Sequence, residues 1–234
     1  MIRKINSIQF IYKGNLEIAE STKNRIMEEW KKIKEEKDFL KENQILNVSN
    51  LVNDNDNYVL EINETTFSNY MYAKKNGDIR ALFSGAYVLT SDQYMMCVLN
   101  HYYENEFEFE TLNLVGGMAD AKDIVDGEYQ SKICLKREIK EELGFDVEDK
   151  NWNIELKYLK CPSENENPVN YAIGTIYEIK TTYTKEQLVN MFIKQSHDNE
   201  VKELVFFSKE NYKDIYEYKH KKQYMPELFE IIFN

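Results

Sequence analysis

Gly116-Gly-Met-Ala-Asp-Ala-Lys-Asp-Ile-Val-Asp-Gly-Glu128, followed two residues later by Ser131-Lys-Ile-Cys-Leu-Lys-Arg-Glu-Ile-Lys-Glu-Glu-Leu-Gly-Phe145, is the stretch that decides how this chain is read. The second half carries helical periodicity. At about 100° per residue, Leu135, Ile139 and Leu143 fall on one apolar arc at i, i+4 and i+8. With Leu135 at zero, Glu142, Glu138 and Glu141 fall at about −20°, −60° and −120°, on a face that borders the arc. Lys136, Lys140 and Arg137 lie beyond the other edge, and Ile133 does not fit the arc. Gly144 is placed to end the helix in a left-handed cap. Three acids in one turn repel one another, and they sit near the negative end of the helix dipole. Partial burial beside the apolar arc raises that cost. Two arrangements relieve it: screening by water and lysines, or a hard divalent cation held by carboxylate oxygens.

Working outward, the chain alternates strand and helix signals. Ser7–Tyr12 and Tyr58–Ile62 read as strands. Residues 15–40 read as a packing helix with Ile18, Ile26, Trp30 and Ile33 among many charges, and 65–75 as a shorter one. Asn53–Asn57 is a turn cluster without the Gly and Glu of a calcium loop. Composition shifts at Asn76-Gly77. Residues 83–90 and 94–99 then read as a hairpin, 107–115 as a strand running into a Gly-Gly turn, and 131–143 as the acidic helix. Strands over 154–161 and 171–181 flank a polar loop at 163–167. A helix over 185–193, a strand over 201–207 and short helices over 210–218 and 226–232 complete the chain. This order predicts an α+β fold, or a three-layer sandwich, and not a run of βαβ units.

The chain has 234 residues, with 30 Lys and Arg against 41 Asp and Glu, a net charge of −11. Such a balance opposes binding to a nucleic-acid backbone or an anionic membrane. No apolar window reaches a membrane span of about 18 residues, and the first apolar run is too short for a signal peptide. The three cysteines and three histidines are scattered, which argues against a disulfide framework and a zinc site. The expectation is a cytoplasmic protein without nucleic-acid or membrane partners.

Arg137-Glu-Ile-Lys-Glu-Glu-Leu-Gly-Phe145 resembles the second half of the Nudix box, R-E-U-x-E-E-x-G-U with U apolar, and fills every fixed position. Gly116-Gly117 is similar to the glycine pair that opens that box. The resemblance implies a Nudix-like α/β/α sandwich with a mixed sheet over residues 81–234, preceded by an N-terminal α/β extension over 1–80. It implies hydrolysis of a nucleoside diphosphate linked to another moiety, with Mg²⁺ or Mn²⁺. Glu138, Glu141, Glu142 and the Gly116 carbonyl would be metal ligands, Glu138 with a share in activating water, and Arg137 would brace the glutamates.

One departure stands out. The family places a Glu six residues after the box glycine and eight before the Arg, and those positions hold Asp123 and Tyr129 here. Glu128, the nearest Glu, is assigned at most a supporting place behind the ligands. The lengthened loop and the N-terminal extension resemble a branch of UDP-sugar pyrophosphatases. A UDP-sugar is therefore the leading substrate class. The alternatives are an ADP-ribose, dinucleotide or dNTP housecleaning pyrophosphatase and a non-catalytic nucleotide sensor. Downstream, His197-Asp-Asn-Glu200 offers a further carboxylate. Glu200 is the candidate, with Glu203 behind it, and a plain polar loop is the competing reading.

Overall fold

The computed structural model describes residues 1–37, 40–76, 79–104, 107–162, 172–197, 200–213, 222–223 and 226–233. Its main sheet has nine strands among these residues. A central pair, β5 (Leu82–Leu89) and β12 (Ile173–Thr181), runs parallel over eight positions. Antiparallel β11 (Trp152–Lys160) and then β1 (Ile2–Lys4) extend the sheet on one side. On the other side β5 meets β6 (Met95–Glu104) through Val88↔Met96 and Leu89↔Met95. The two strands then separate, and one continuous run fills the gap. Its first part, β7 (Phe107–Asn113), pairs with β6, and its second, β8 (Val115–Met118), pairs with β5. Strand β13 (Val201–Phe207) takes the outer edge of β6, and β14 (Lys222–Gln223) the outer edge of β7. The mixed α+β fold expected from the element order is the fold observed.

Helices cover both faces of this sheet. Helix α3 (Ser131–Leu143) and α4 (Lys185–Lys194) bury Leu135, Ile139, Leu143, Leu188 and Phe192 against Ala86, Val88, Val98 and Ile179. Helix α5 (Pro226–Phe233) lays Leu228 and Phe229 on the opposite face, over Tyr87, Leu99 and Ile176. The sheet's period of two explains the split, since alternate residues of β5 face opposite layers.

A second sheet joins β2 (Ser7–Asn15), β4 (Asn57–Thr66) and β3 (Gln44–Asp54) in that order. Between β2 and β3 lies α1 (Glu20–Glu36), and after β4 comes α2 (Phe67–Asn76), with Trp30 edge-on to Phe67. The Asn53–Asn57 cluster is the turn joining β3 to β4, with Asn55 and Asp56 at positive φ. Leu46, Val48, Leu60 and Ile62 of this sheet pack with Leu82, Leu159 and Ile173 of the main one.

Some expectations need correction. Gly116-Gly117 lies inside β8 and is not a turn. Strands β1 and β3 were not expected. Of the helix expected over 210–218, the described residues show 3-10 conformation at Tyr212 and Lys213, and the rest lies outside the described residues. So do the 163–167 loop and Gly77.

Candidate functional site

The acidic helix forms as its pattern requires. Gly144 has φ +71° and donates its N–H to the Lys140 carbonyl at 3.0 Å, so the left-handed cap is present. Ile133, off the apolar arc, is 41% exposed. Burial of the acids follows their angle from the arc. Glu142 is 4% exposed, the Glu138 side chain 14% and the Glu141 side chain 51%. Two lysines of the helix turn elsewhere. Lys136 pairs with Glu148 at 2.7 Å, and Lys140 reaches the Gly144 carbonyl.

Arg137 organises the cluster. Its Nη1 donates to Glu138 Oε1 at 2.6 Å and to Glu141 Oε2 at 3.1 Å. Its Nε and Nη2 donate to Asp123 Oδ1 and Oδ2, both at 3.0 Å, a two-pronged pair that matches the guanidinium plane. Nη2 also reaches the Met118 carbonyl at 3.2 Å. Glu142 turns the other way and accepts the Gly116 N–H on Oε2 at 3.1 Å. One guanidinium thus gathers Asp123, Glu138 and Glu141, while β8 takes Glu142.

The glycines make these approaches possible. A Cβ on Gly117 would overlap the Glu138 carboxyl. Gly116 has φ +135°, and a Cβ there would stand 2.7 Å from the Gly85 Cα. The first glycine lets β8 close on β5, and the second leaves room for a carboxylate against the strand.

Asp123 is the residue that sequence reasoning passed over. It is fully buried, and Glu128 is exposed. The lengthening that obscured it is a β-hairpin. Strand β9 (Ile124–Val125) pairs with β10 (Glu128–Tyr129) around Asp126-Gly127, both at positive φ as a type I′ turn requires. Gln130 N–H donates to the Asp123 carbonyl at 2.9 Å, so the chain leaves and re-enters at one point. The six hairpin residues loop out, and Asp123 connects to α3 as though they were absent. The Asp-Gly dipeptide between apolar residues was the signal that could have revealed this.

Glu138 has an unusual proton affinity. Burial pushes its carboxyl up to about 7, Arg137 pulls the other way, and Glu141 and Asp123 add to the rise. Against the three carboxylates of Asp123, Glu138 and Glu141 the contacts above set one guanidinium, so this cluster carries more acid than base. Among the described residues no three acidic, His or Cys side chains are gathered closely enough to hold a metal as they stand. The donor set itself is hard oxygen, and the charge deficit is of the sign a divalent cation corrects, so Mg²⁺ or Mn²⁺ fits its chemistry.

Glu200 is exposed at the start of β13. The loop leading to it passes the end of α3, where a Cβ on Gly144 would stand 2.8 Å from the Ser196 carbonyl oxygen. His197 stacks on Phe192 at 4.2 Å between ring centroids. Glu203 is exposed on β13, while Asp198 and Asn199 lie outside the described residues.

No protein-family model matches the sequence, and no curated protein does. Solved structures with a similar outline include DR0079 from Deinococcus radiodurans, at 14% identity and TM-score 0.47, covering 82% of this chain and 99% of that one. The NUDIX domain of Shewanella oneidensis NrtR, solved with ADP ribose, is similar at 14% identity and TM-score 0.44, covering 71% and 96%. A NUDIX hydrolase from Nitrosomonas europaea is similar at 12% identity and TM-score 0.40, covering 64% and 85%. At such identities and scores these likenesses extend to outline alone.

Proposed function

We propose that this chain is a Nudix-type hydrolase that uses Mg²⁺ or Mn²⁺ to split a nucleoside diphosphate derivative, with a UDP-sugar as its leading substrate. The observation that carries the reading is the Asp123–Arg137–Glu138/Glu141 cluster beside Gly116-Gly117, with Glu142 on the Gly116 N–H. Every fixed box residue takes part in one connected arrangement or in the helix that presents it. Glu138, Glu141, Glu142 and the Gly116 carbonyl are the proposed ligands. The ion supplies positive charge to the diphosphate oxygens and acidifies water when bound. Asp123 holds Arg137, and Arg137 fixes Glu138 through Oε1. Glu138 Oε2, which Arg137 does not hold, is the oxygen proposed to accept the proton of the attacking water. Glu200 is proposed as a further catalytic carboxylate. The products are a nucleoside monophosphate and a sugar phosphate.

The test is turnover of UDP-glucose, UDP-galactose, ADP-ribose, NADH and dNTPs with Mg²⁺, with Mn²⁺ and with EDTA. The expected result is cation-dependent release of UMP from a UDP-sugar, lost in Glu141→Gln and Glu142→Gln proteins that remain folded. Tight nucleotide binding without turnover would replace the enzyme by a sensor. Inertness toward the whole panel would overturn the reading.

Gly117→Ala separates chemistry from folding. The added methyl meets a carboxyl that Arg137 holds, so stability falls by about 1–3 kcal/mol, short of unfolding the protein. The Glu138 carboxyl must move, and kcat falls by about 10²-fold. Wild-type kcat in a folded Gly117→Ala protein would show that the carboxyl's place against β8 is immaterial.

A further inference from the structure

The β9–β10 hairpin is not a passive bulge. Its last residue, Tyr129, is 4% exposed and directly precedes the turn into α3. The Tyr129 ring meets Phe10 of β2 edge-on, with centroids 4.8 Å apart. Its hydroxyl lies 3.0 Å from Ser84 Oγ, which lies 2.9 Å from Thr175 Oγ1. Tyr129 packs in one buried cluster with Cys134, whose sulfur is 3.8 Å from Arg137 Nη2. Buried hydroxyls thus link β12 and β5 to Tyr129, and packing carries on from Tyr129 through Cys134 to the guanidinium that gathers the carboxylates. Strand β3 is tied to the same loop from the other side, because Leu46 N–H donates to the Ala119 carbonyl at 2.8 Å.

We infer that Tyr129 is a positioning residue for the carboxylate cluster, and that through Phe10 and the hairpin the N-terminal sheet sets the pose of Arg137. This rests on the reading of Arg137 and the glutamates as the working site, and it gives the first 66 residues a part in that site. Tyr129 touches no reacting group. It acts by fixing the segment from Asp123 to Cys134, between the carboxylate that anchors Arg137 and the helix that carries it. A guanidinium held by two parallel hydrogen bonds keeps its geometry only while the backbone on both sides stays put.

The test uses the full chain and the variants Tyr129→Phe and Phe10→Ala. The first readout is proton exchange at Arg137 Nε–H by ¹⁵N NMR, which depends on neither metal nor turnover. Exchange at this proton rises about tenfold in both variants while core amides of β5 and β12 keep their rates. With a UDP-sugar and Mn²⁺, kcat falls about tenfold at unchanged KM. Phe10→Leu, which retains an apolar contact, recovers part of both. Unchanged Nε–H exchange, or acceleration shared equally by the core amides, overturns the inference and leaves Tyr129 a packing residue. Failure of the substrate panel with Nε–H exchange responding as stated would strike the proposed activity and spare the coupling.

Discussion

Asp123→Asn cuts turnover by about 10²-fold and lowers stability by about 3 kcal/mol, whereas Glu128→Gln changes neither. The contrast follows from where the two acids lie. Asp123 is fully buried and accepts both Nε and Nη2 of Arg137. Its exchange for a neutral amide leaves a guanidinium that is 19% exposed with its main counter-charge gone. Breaking a buried pair by removing one partner is costly because the remaining charge loses compensation, and with Glu138 and Glu141 still at Nη1 the loss sits at the low end of that range. The loss of activity comes through Arg137, whose Nη1 then no longer holds Glu138 and Glu141 in register. Glu128 stands exposed on the hairpin and has no part in this chain of contacts. Steady-state kinetics and urea denaturation of the two variants check the claim. A kcat within threefold of wild type in Asp123→Asn would remove Asp123 from the site.

Glu138→Gln moves activity and stability in opposite directions. Activity drops by about 10³-fold, the scale for losing a positioned proton acceptor. Stability of the cation-free protein rises. The Glu138 pKa lies at about 7 in the folded chain against 4.5 for an ordinary glutamate. Between those values the folded chain holds a proton that the unfolded chain has released, so stability falls as pH rises through this window. Glutamine does not titrate and removes that slope. Denaturation midpoints in EDTA across the window give the test. The difference between variant and wild type grows with pH up to about 7 and then levels off. A difference independent of pH would mean that the Glu138 carboxyl is not burdened by its surroundings.

Much of this site was legible before any fold was known, and the reasons are local. A helical wheel needs only the period of the α-helix, so the buried arc of Leu135, Ile139 and Leu143 and the graded exposure of Glu142, Glu138 and Glu141 follow from spacing. The cap at Gly144 needs only the absence of a Cβ. Asp123 was hidden because its partner is fourteen residues away and a hairpin intervenes. Sequence distance counts those residues, whereas the Gln130–Asp123 hydrogen bond cancels them in space.

The missed strand β3 fails for another reason. Its buried run includes Asn47, 2% exposed, which accepts the Arg80 N–H on its side chain at 2.8 Å. A buried polar residue with a partner far along the chain breaks the alternation that marks a strand. Gly116-Gly117 reads as a turn because glycines punctuate loops. Here they admit a close strand and a carboxylate, a use that appears only once β5 and α3 are in place.

The central claim is that the glutamates of α3 hold divalent cations for a diphosphate. A crystal soaked in Mn²⁺ and a non-hydrolysable UDP-sugar, with anomalous data collected for manganese, tests it most directly. The account predicts manganese peaks at Glu138, Glu141 and Glu142 with diphosphate oxygens on the same ions. Ordered UDP-sugar elsewhere with no manganese at these carboxylates, or Glu138 and Glu141 still bound to Arg137 and no ion beside them, would contradict it.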